Sequence, residues 1–417
     1  MNITSKIVAL SSAVAFALQI AFALLMLRYF SPEEVGVFSV ISQIGFFWTT
    51  LALAQSPLRL LANHGASVFD DARHAWVSSL QRFVWLSPVA ALAVWWSGLS
   101  FVNALLWALL LSLCQLTWML AQSMRLRMVG TWAQIGVRVL PPLMALLVAV
   151  AVIFMQLSGP ALLAAALLGY AVGAAWLLPS LLAHWQAKFD NVSTKTVEVA
   201  LSSALQDPSD ASIATVSGDN RSATLRMAHT LADALLATAI VVVWQRMYGA
   251  QETGWMAAPL RVMGFVPAVV HMAWAQVLLA QPQYARTNPL FVGLAGFASV
   301  ALIGAGCAVA LEFGWLGEQW QGVWTYLLPL VVWQGSACVA SAFSHLPFQN
   351  NNARRYSWIC IGIAGLQGSL LSTPIMLGVW QPADSFMTWF AAVSCVGLIG
   401  LSIWLCQKNR NDLLFDK

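Results

Sequence analysis

The residues able to do chemistry in this 417-residue sequence are few, and most of them stand inside long apolar runs. Arg226, His229 and Asp233 fall at i, i+3 and i+7, a spacing that stacks them along one face of a helix. Such a set could relay a proton or a sodium ion, with Asp233 as the cation-binding carboxylate, His229 as its titratable neighbour and Arg226 as a tuning charge. The same spacing suits a locally satisfied polar cluster near a membrane interface, and both readings stand.

Arg261 lies about seven residues into another apolar run, about 10 Å from its end at ~1.5 Å per residue. An ionisable residue at that depth either lines a hydrated cavity or snorkels and pairs with an acidic neighbour. Arg138 precedes Pro141 and Pro142, so it stands beside a predicted kink where freed carbonyls and a cation could line water. Snorkelling to the nearby helix end is its other reading. His271, deep in its run, is expected to be a hydrogen-bonded packing residue.

Signals for covalent or metal chemistry are thin. The six cysteines, at 114, 307, 338, 360, 395 and 406, are scattered through apolar runs without metal-ligand spacing and read as small hydrophobes. There is no phosphate-binding Gly-Lys loop, zinc-type His-Glu pair or nucleophile elbow, so neither an ATP-driven pump nor a hydrolase is indicated. No metal and no cofactor is expected, and energy would come from an ion gradient, with coupling to H+ or Na+, from the membrane potential or from downstream consumption of the product.

The elements that must position these residues follow from composition. With 60% hydrophobic residues, 9% charged residues, 21 Trp and a mean hydropathy of +0.75, the chain lies far from soluble proteins and is expected to be an all-α integral membrane protein. A spanning helix needs roughly 20 mostly apolar residues. About twelve such runs are present, near 7–29, 36–61, 77–97, 100–122, 131–155 and 160–183, then 226–247, 254–280, 288–311, 320–346, 356–379 and 384–406. Strand-like alternation is absent, which argues against an outer-membrane barrel. The first run is too long for a secretory signal, lacks a cleavage site and is expected to stay in the mature protein.

Between the sixth and seventh runs, "KFDNVSTKTVEVALSSALQDPSDASIATVSGDNRS" is too polar to span. The expected organisation is therefore an N-terminal lobe over 1–185, a cytoplasmic linker over 186–225, a C-terminal lobe over 226–407 and a cytoplasmic tail over 408–417. A short amphipathic helix over 197–205 is a weaker expectation. Lys and Arg concentrate in alternate loops, which places both termini in the cytoplasm and explains the net charge of +4 without nucleic acid.

One corner is written twice. "RYFSPEEVGVF" from Arg28 and "RMYGAQETGWM" from Arg246 align Glu34 with Glu252 and Gly36 with Gly254, and each joins the first two helices of its lobe. The lobes thus look like repeats of equal orientation around a central cavity, as in transporters that open to alternate sides. Arg28 and Arg246 are expected to anchor headgroups or to pair with Glu34 and Glu252.

The corner "LRYFSPEEVGVFSV", followed by a helix ending "SPLRLLA", resembles the first hairpin of polysaccharide flippases of the Wzx or O-antigen translocase type. These belong to the multidrug/oligosaccharidyl-lipid/polysaccharide exporter (MOP) superfamily. "YGAQETGWMAAPLRVMGFVPAVV" is similar to the matching second hairpin, and "NNNARRYSW" to the basic turn after the tenth helix. The resemblance implies a MATE/MOP-like fold in a bacterial inner membrane. It also implies transfer of an undecaprenyl-pyrophosphate-linked oligosaccharide between leaflets, for O-antigen, capsule or exopolysaccharide assembly. Membrane lipid, a polysaccharide polymerase and a chain-length regulator are the implied partners. On this reading Arg261 is the foremost phosphate or acidic-sugar contact, with Arg138 as a further cavity cation. Arg59 matches a basic position of the family hairpin and could meet the pyrophosphate on entry, or serve as an ordinary positive anchor.

Two rivals remain. A cation-coupled multidrug or metabolite exporter of the same superfamily is kept alive by Asp233. A membrane glycosyltransferase or polymerase could use Glu33 and Glu34, but the outer loops are short for such an enzyme.

Overall fold

The computed structural model of the protein describes residues 3–54, 56–62, 67–128, 131–156, 160–177, 220–271, 288–349, 352–378 and 381–415. Among them the regular structure is helical throughout, as the apolar runs require: in hydrocarbon a helix satisfies its backbone groups within the segment. The helices are α1 (Ile3–Tyr29), α2 (Pro32–Leu53), α3 (Ser56–Ala62), α4 (Val68–Ser97), α5 (Phe101–Arg127), α6 (Thr131–Met155) and α7 (Ala161–Ala174). They continue as α8 (Asn220–Val269), α9 (Pro289–Glu312), a 3-10 turn (Glu318–Val323), α10 (Trp324–Phe343), α11 (Leu346–Gln349), α12 (Ala353–Leu377) and α13 (Ala383–Phe415). Nine stretches among the described residues are long and apolar enough to cross a membrane, and Val14–Tyr29 and Ala161–Ala174 are shorter apolar helices.

Local chemistry explains the boundaries. Ser31 caps α2 in a full capping box: its hydroxyl accepts from the Glu34 amide, and Glu34 Oε2 accepts from the Ser31 amide at 2.9 Å. Asn288 caps α9, accepting from the Leu290 amide at 3.0 Å ahead of Pro289. Gly98 and Gly378 end α4 and α12 in the left-handed region.

Prolines inside α4 and α6 free carbonyls one turn earlier, and side chains take up those freed by Pro88 and Pro141. The Ser87 hydroxyl donates to the Val84 carbonyl freed by Pro88, at 2.8 Å. The Trp118 indole donates to the Val137 carbonyl freed by Pro141, at 2.7 Å.

Three boundaries differ from the sequence reading. The apolar run over 36–61 is not one helix: α2 stops at Leu53, Ala54 turns to φ 46°, and α3 restarts at Ser56. Pro57 is the cause, since it has no amide to bond the Leu53 carbonyl and its ring would clash with that carbonyl in a continuous helix. The runs over 226–247 and 254–280 are two helices as expected: α8 is broken at Gly249, at φ 85°, ψ −178°, into one helix before it and one after it, the second described as far as residue 271. The first of these starts at Asn220, within the segment read as linker, and α13 carries the tail as helix to Phe415. The rest of the 186–225 segment, including the expected helix over 197–205, lies outside the described residues.

The helices α1 to α7 pack mainly among themselves, as do α8 to α13, and the chief contact between the two sets is α2 on α8. That contact is made by the repeated corners. A Cβ built on Gly36 would lie 1.9 Å from the Ala250 carbonyl oxygen, and one on Gly254 would lie 1.8 Å from the Pro32 carbonyl oxygen. Residues 32 and 250 share the offset of 218 that relates 36 to 254, so the two close approaches are reciprocal copies of each other.

Around them Arg28 donates to the Trp315 carbonyl, just past α9, and Arg246 extends its guanidinium toward Gly98, just past α4. The expected pairing of Arg28 and Arg246 with Glu34 and Glu252 is therefore corrected. Glu34 is folded back into its cap, and Glu252 accepts from the Tyr326 hydroxyl at 2.5 Å. Tyr326 in turn accepts from the buried Trp244 indole at 3.1 Å, which braces α8 beside its break.

This crossing leaves no room for a methyl group. Gly254→Ala is expected to destabilise the protein by about 1–3 kcal/mol. Gly306→Ala, with open space around its Cβ position, should be neutral or stabilise by up to ~1 kcal/mol. Thermal unfolding of the detergent-purified variants compares them, and equal midpoints would show that α2 and α8 do not meet this closely.

Candidate functional site

A cavity of about 390 Å³ lies below the glycine crossing, lined by α1, α2, α5, α6 and α7 and by Arg261 and Phe265 of α8. Register places Arg261 there. Ser42 stands six residues past Gly36 and Arg261 seven past Gly254, so both lie about 10 Å down their helices from the crossing. The Arg261 Nη2 donates to the Ser42 hydroxyl at 2.8 Å, and its guanidinium carbon sits 4.6 Å from the Phe38 ring centre. A guanidinium over an aromatic face is held by the ring quadrupole without losing its charge. Among the described residues no carboxylate pairs with it.

The remaining wall is aromatic and amide-bearing. Phe22, Phe46, Trp118, Tyr170 and Phe265 supply rings, and Gln19, Gln43 and Gln115 supply amides. Trp118 stacks on Tyr170 with centroids 5.4 Å apart, and its ring covers Gly173, where a Cβ would lie 2.2 Å away. Aromatic faces with neighbouring amides suit a polyhydroxylated ligand, and the guanidinium adds a site for an anionic oxygen.

Arg138 is half-buried on α6 one turn before Pro141. The prolines line the cavity and Arg138 is not among its lining residues. Arg59 belongs to α3, at the end of the bundle opposite the corners, and its side chain lies outside the described residues. Of the three arginines, Arg261 is thus the one placed in this cavity.

The second set of candidates occupies a different cavity, of about 870 Å³, formed mainly by α8, α10, α12 and α13. His229 Nε2 lies 3.1 Å from Asp233 Oδ2, while the Asp233 side chain remains 61% exposed. The His229 ring meets Tyr356 edge-on at 5.6 Å. His271 reaches the same space, with Nδ1 3.1 Å from the Ser344 hydroxyl. It is hydrogen-bonded as expected, but it faces the cavity and is not packed away. The Arg226 backbone lies in α8 one turn before His229, and its side chain lies outside the described residues. Cys360 and Gln367 complete a polar wall, with Gln367 donating to the Ser394 hydroxyl at 2.6 Å.

No group of three or more His, Cys, Asp or Glu able to hold a metal ion occurs among the described residues. The wall residues Gln19, Gln43, Gln115 and Gln367 were legible only as polar residues in apolar runs, and such residues face protein or cavity far more readily than lipid. Phe38 and Ser42 carried no such signal, because their roles depend on where Arg261 arrives.

Two solved structures are similar to this chain. The lipid II flippase MurJ, in an inward closed conformation, matches with a TM-score of 0.59 at 10% identity, covering 96% of this chain and 87% of that chain. A multidrug resistance MATE family transporter of the MOP superfamily, in an inward-facing conformation, matches with a TM-score of 0.47 at 11% identity, covering 98% of this chain and 95% of that chain. No family model matches the chain, and no curated protein matches it in sequence. The likeness to MurJ is one of fold: this chain has the all-helical, multi-pass bundle of that flippase.

Arg261 is held by a hydroxyl and a ring face, and Ser42 keeps its own bond to the Ser39 carbonyl when the guanidinium is removed. Arg261→Met should therefore raise thermal stability, by about 1 kcal/mol or more, because a buried cation without a counter-charge costs desolvation. A comparable loss of stability would instead make Arg261 a structural strut.

Proposed function

We propose that the protein carries an undecaprenyl-pyrophosphate-linked oligosaccharide from the inner to the outer leaflet of a bacterial cytoplasmic membrane. It does so by alternating access between two six-helix lobes, 1–185 and 226–407, with both termini cytoplasmic. The observation that carries this reading is Arg261: a guanidinium inside the bundle, facing an aromatic and amide-lined cavity, with no carboxylate opposite it among the described residues. Sugars and a pyrophosphate cannot cross about 30 Å of hydrocarbon unaided, since burying unpaired polar and charged groups is very costly. Such a cavity offers amides and rings to the sugar and a cation to the phosphate while the polyprenyl tail stays in lipid.

The reciprocal glycine crossing supports the two-lobe mechanism. It joins the halves at the corner end and so closes the cavity there, and its symmetry is that of related repeats. The fold shared with a lipid II flippase supports the class of cargo. A cationic drug is disfavoured, because Arg261 would repel it. In this reading His229 and Asp233 hold the coupling ion, H+ or Na+, in the second cavity, with Arg226 as a nearby charge. Arg59 and Arg138 act near the other end of the path, where the lipid-linked phosphate enters. The polymerase and chain-length regulator of O-antigen, capsule or exopolysaccharide assembly would take the product.

The deciding measurement is the leaflet occupied by completed lipid-linked glycans in cells with and without this gene. Their retention on the cytoplasmic side in its absence is expected. Normal crossing would favour the exporter, and truncated or unpolymerised glycans on the outer side would favour a membrane glycosyltransferase or polymerase. In the same assay Arg261→Ala should abolish crossing at normal membrane abundance, and full transport would remove it from the mechanism. Asp233→Asn should abolish ion dependence in reconstituted vesicles, and unchanged dependence would exclude the relay.

A further inference from the structure

The cavity that holds Arg261 carries two chemistries on two sets of helices. The cation comes from α8, whereas Gln19 of α1, Gln43 of α2, Gln115 of α5 and Tyr170 of α7 come from the first set. Among the described residues none donates to or accepts from the three side-chain amides or the Tyr170 hydroxyl. Polar side chains within apolar spans are costly to leave without partners, so four of them lining one space point to a ligand that supplies the bonds.

The phenol is fixed before any ligand arrives. Trp118 donates its indole N–H to the Val137 carbonyl at 2.7 Å and stacks on Tyr170 with centroids 5.4 Å apart, which holds the phenol ring from one side. One residue earlier α7 is pressed against α6: a Cβ built on Gly169 would lie 2.7 Å from the Pro141 carbonyl oxygen. Tyr170 is thereby set in the wall, within electrostatic reach of the Arg261 guanidinium. Groups ordered in advance lose little freedom on binding.

The wall also discriminates by charge. Each amide offers a donor and an acceptor side by side, and a phenol hydroxyl does both, a pattern that adjacent hydroxyls or an acetamido group on a sugar complement. Among the described lining residues Arg261 is the one charged group, and a phosphate would engage it. A carboxylate on the neighbouring sugar would then be desolvated against neutral amides with the phosphate's own negative charge close by. Resting on the cargo proposed above, we infer that Gln19, Gln43, Gln115 and Tyr170 form a glycan subsite that selects an uncharged sugar next to the phosphate. A uronic acid at that position is rejected.

Thermal unfolding of the full chain in detergent tests the subsite, because a ligand of the folded state raises the midpoint. The probes are farnesyl pyrophosphate, its N-acetylglucosamine conjugate and its galacturonic acid conjugate. The N-acetylglucosamine conjugate should half-saturate at about tenfold lower concentration than either of the others, the effect of one or two neutral hydrogen bonds. Gln115→Leu should bring that conjugate close to farnesyl pyrophosphate. It should not lower the ligand-free midpoint, because the amide bonds no described residue. Gln43→Leu is the second variant should Gln115→Leu not fold. Discrimination that survives in both overturns the assignment to these amides. Galacturonic acid bound as tightly as N-acetylglucosamine overturns the selection for an uncharged sugar. If all three probes half-saturate equally and Arg261→Met weakens them all, the phosphate site stands and the sugar subsite falls. If no probe moves the midpoint, or Arg261→Met leaves all three unchanged, the cargo itself is wrong and the subsite falls with it.

Discussion

The structure depends on one contact, the crossing of α2 and α8 at two glycines. Backbone meets backbone there: the Ala250 carbonyl stands over Gly36 and the Pro32 carbonyl over Gly254, closer than any side chain permits. A helix pair brought this close can seal one end of a bundle without bulky side chains, as small residues do between membrane helices. It also sets a register. Both helices run away from the crossing in the same sense, so residues six or seven steps along face each other at similar depth, and the hydrogen bond between Arg261 and Ser42 follows. Moving either glycine by one residue would rotate Phe38, Ser42 and Arg261 away from one another by about 100°.

The chemistry that hangs from this crossing is divided between two spaces. Arg261 stands in the cavity below it, and the pair His229–Asp233 stands in a second cavity walled by α8, α10, α12 and α13. Opposite charges kept in separate cavities do not neutralise each other across the low-dielectric interior, where each would otherwise be the other's best partner. The break at Gly249 contributes to this separation. It divides α8 into a part that carries His229 and Asp233 and a part that carries Arg261, and the bonded series Trp244, Tyr326 and Glu252 braces the bend between them. Under the transport proposed above, the Gly249 break between two successive helices is the covalent link between an ion site and a cargo site.

Much of this was legible in residue order. Helical class, the apolar runs, the repeated corner, and the helical pairing of His229 with Asp233 follow from composition and short-range periodicity, because lipid leaves a spanning backbone few alternatives and residues three or four apart on a helix must be neighbours. Local punctuation is also readable in part: Ser31 with Glu34 writes a capping box, although the same spacing suits an ion pair of Glu34 with Arg28. The split at Pro57 is hidden in the sequence because hydropathy runs through it without a dip.

What only the tertiary structure decided is which intramembrane residues share a space. Arg261 and Arg138 both sit in apolar runs, and one faces the cavity while the other stands a turn away from its wall. Helix rotation and close approach make that choice, and they are set by contacts between residues 218 positions apart, which leave no periodic trace in the chain. The serines bonded to Arg82 of α4 illustrate the same limit. The spacing of Ser78, Ser79 and Arg82 could be read along α4, but Ser56 joins them only because Pro57 ends one helix and folds the next against it.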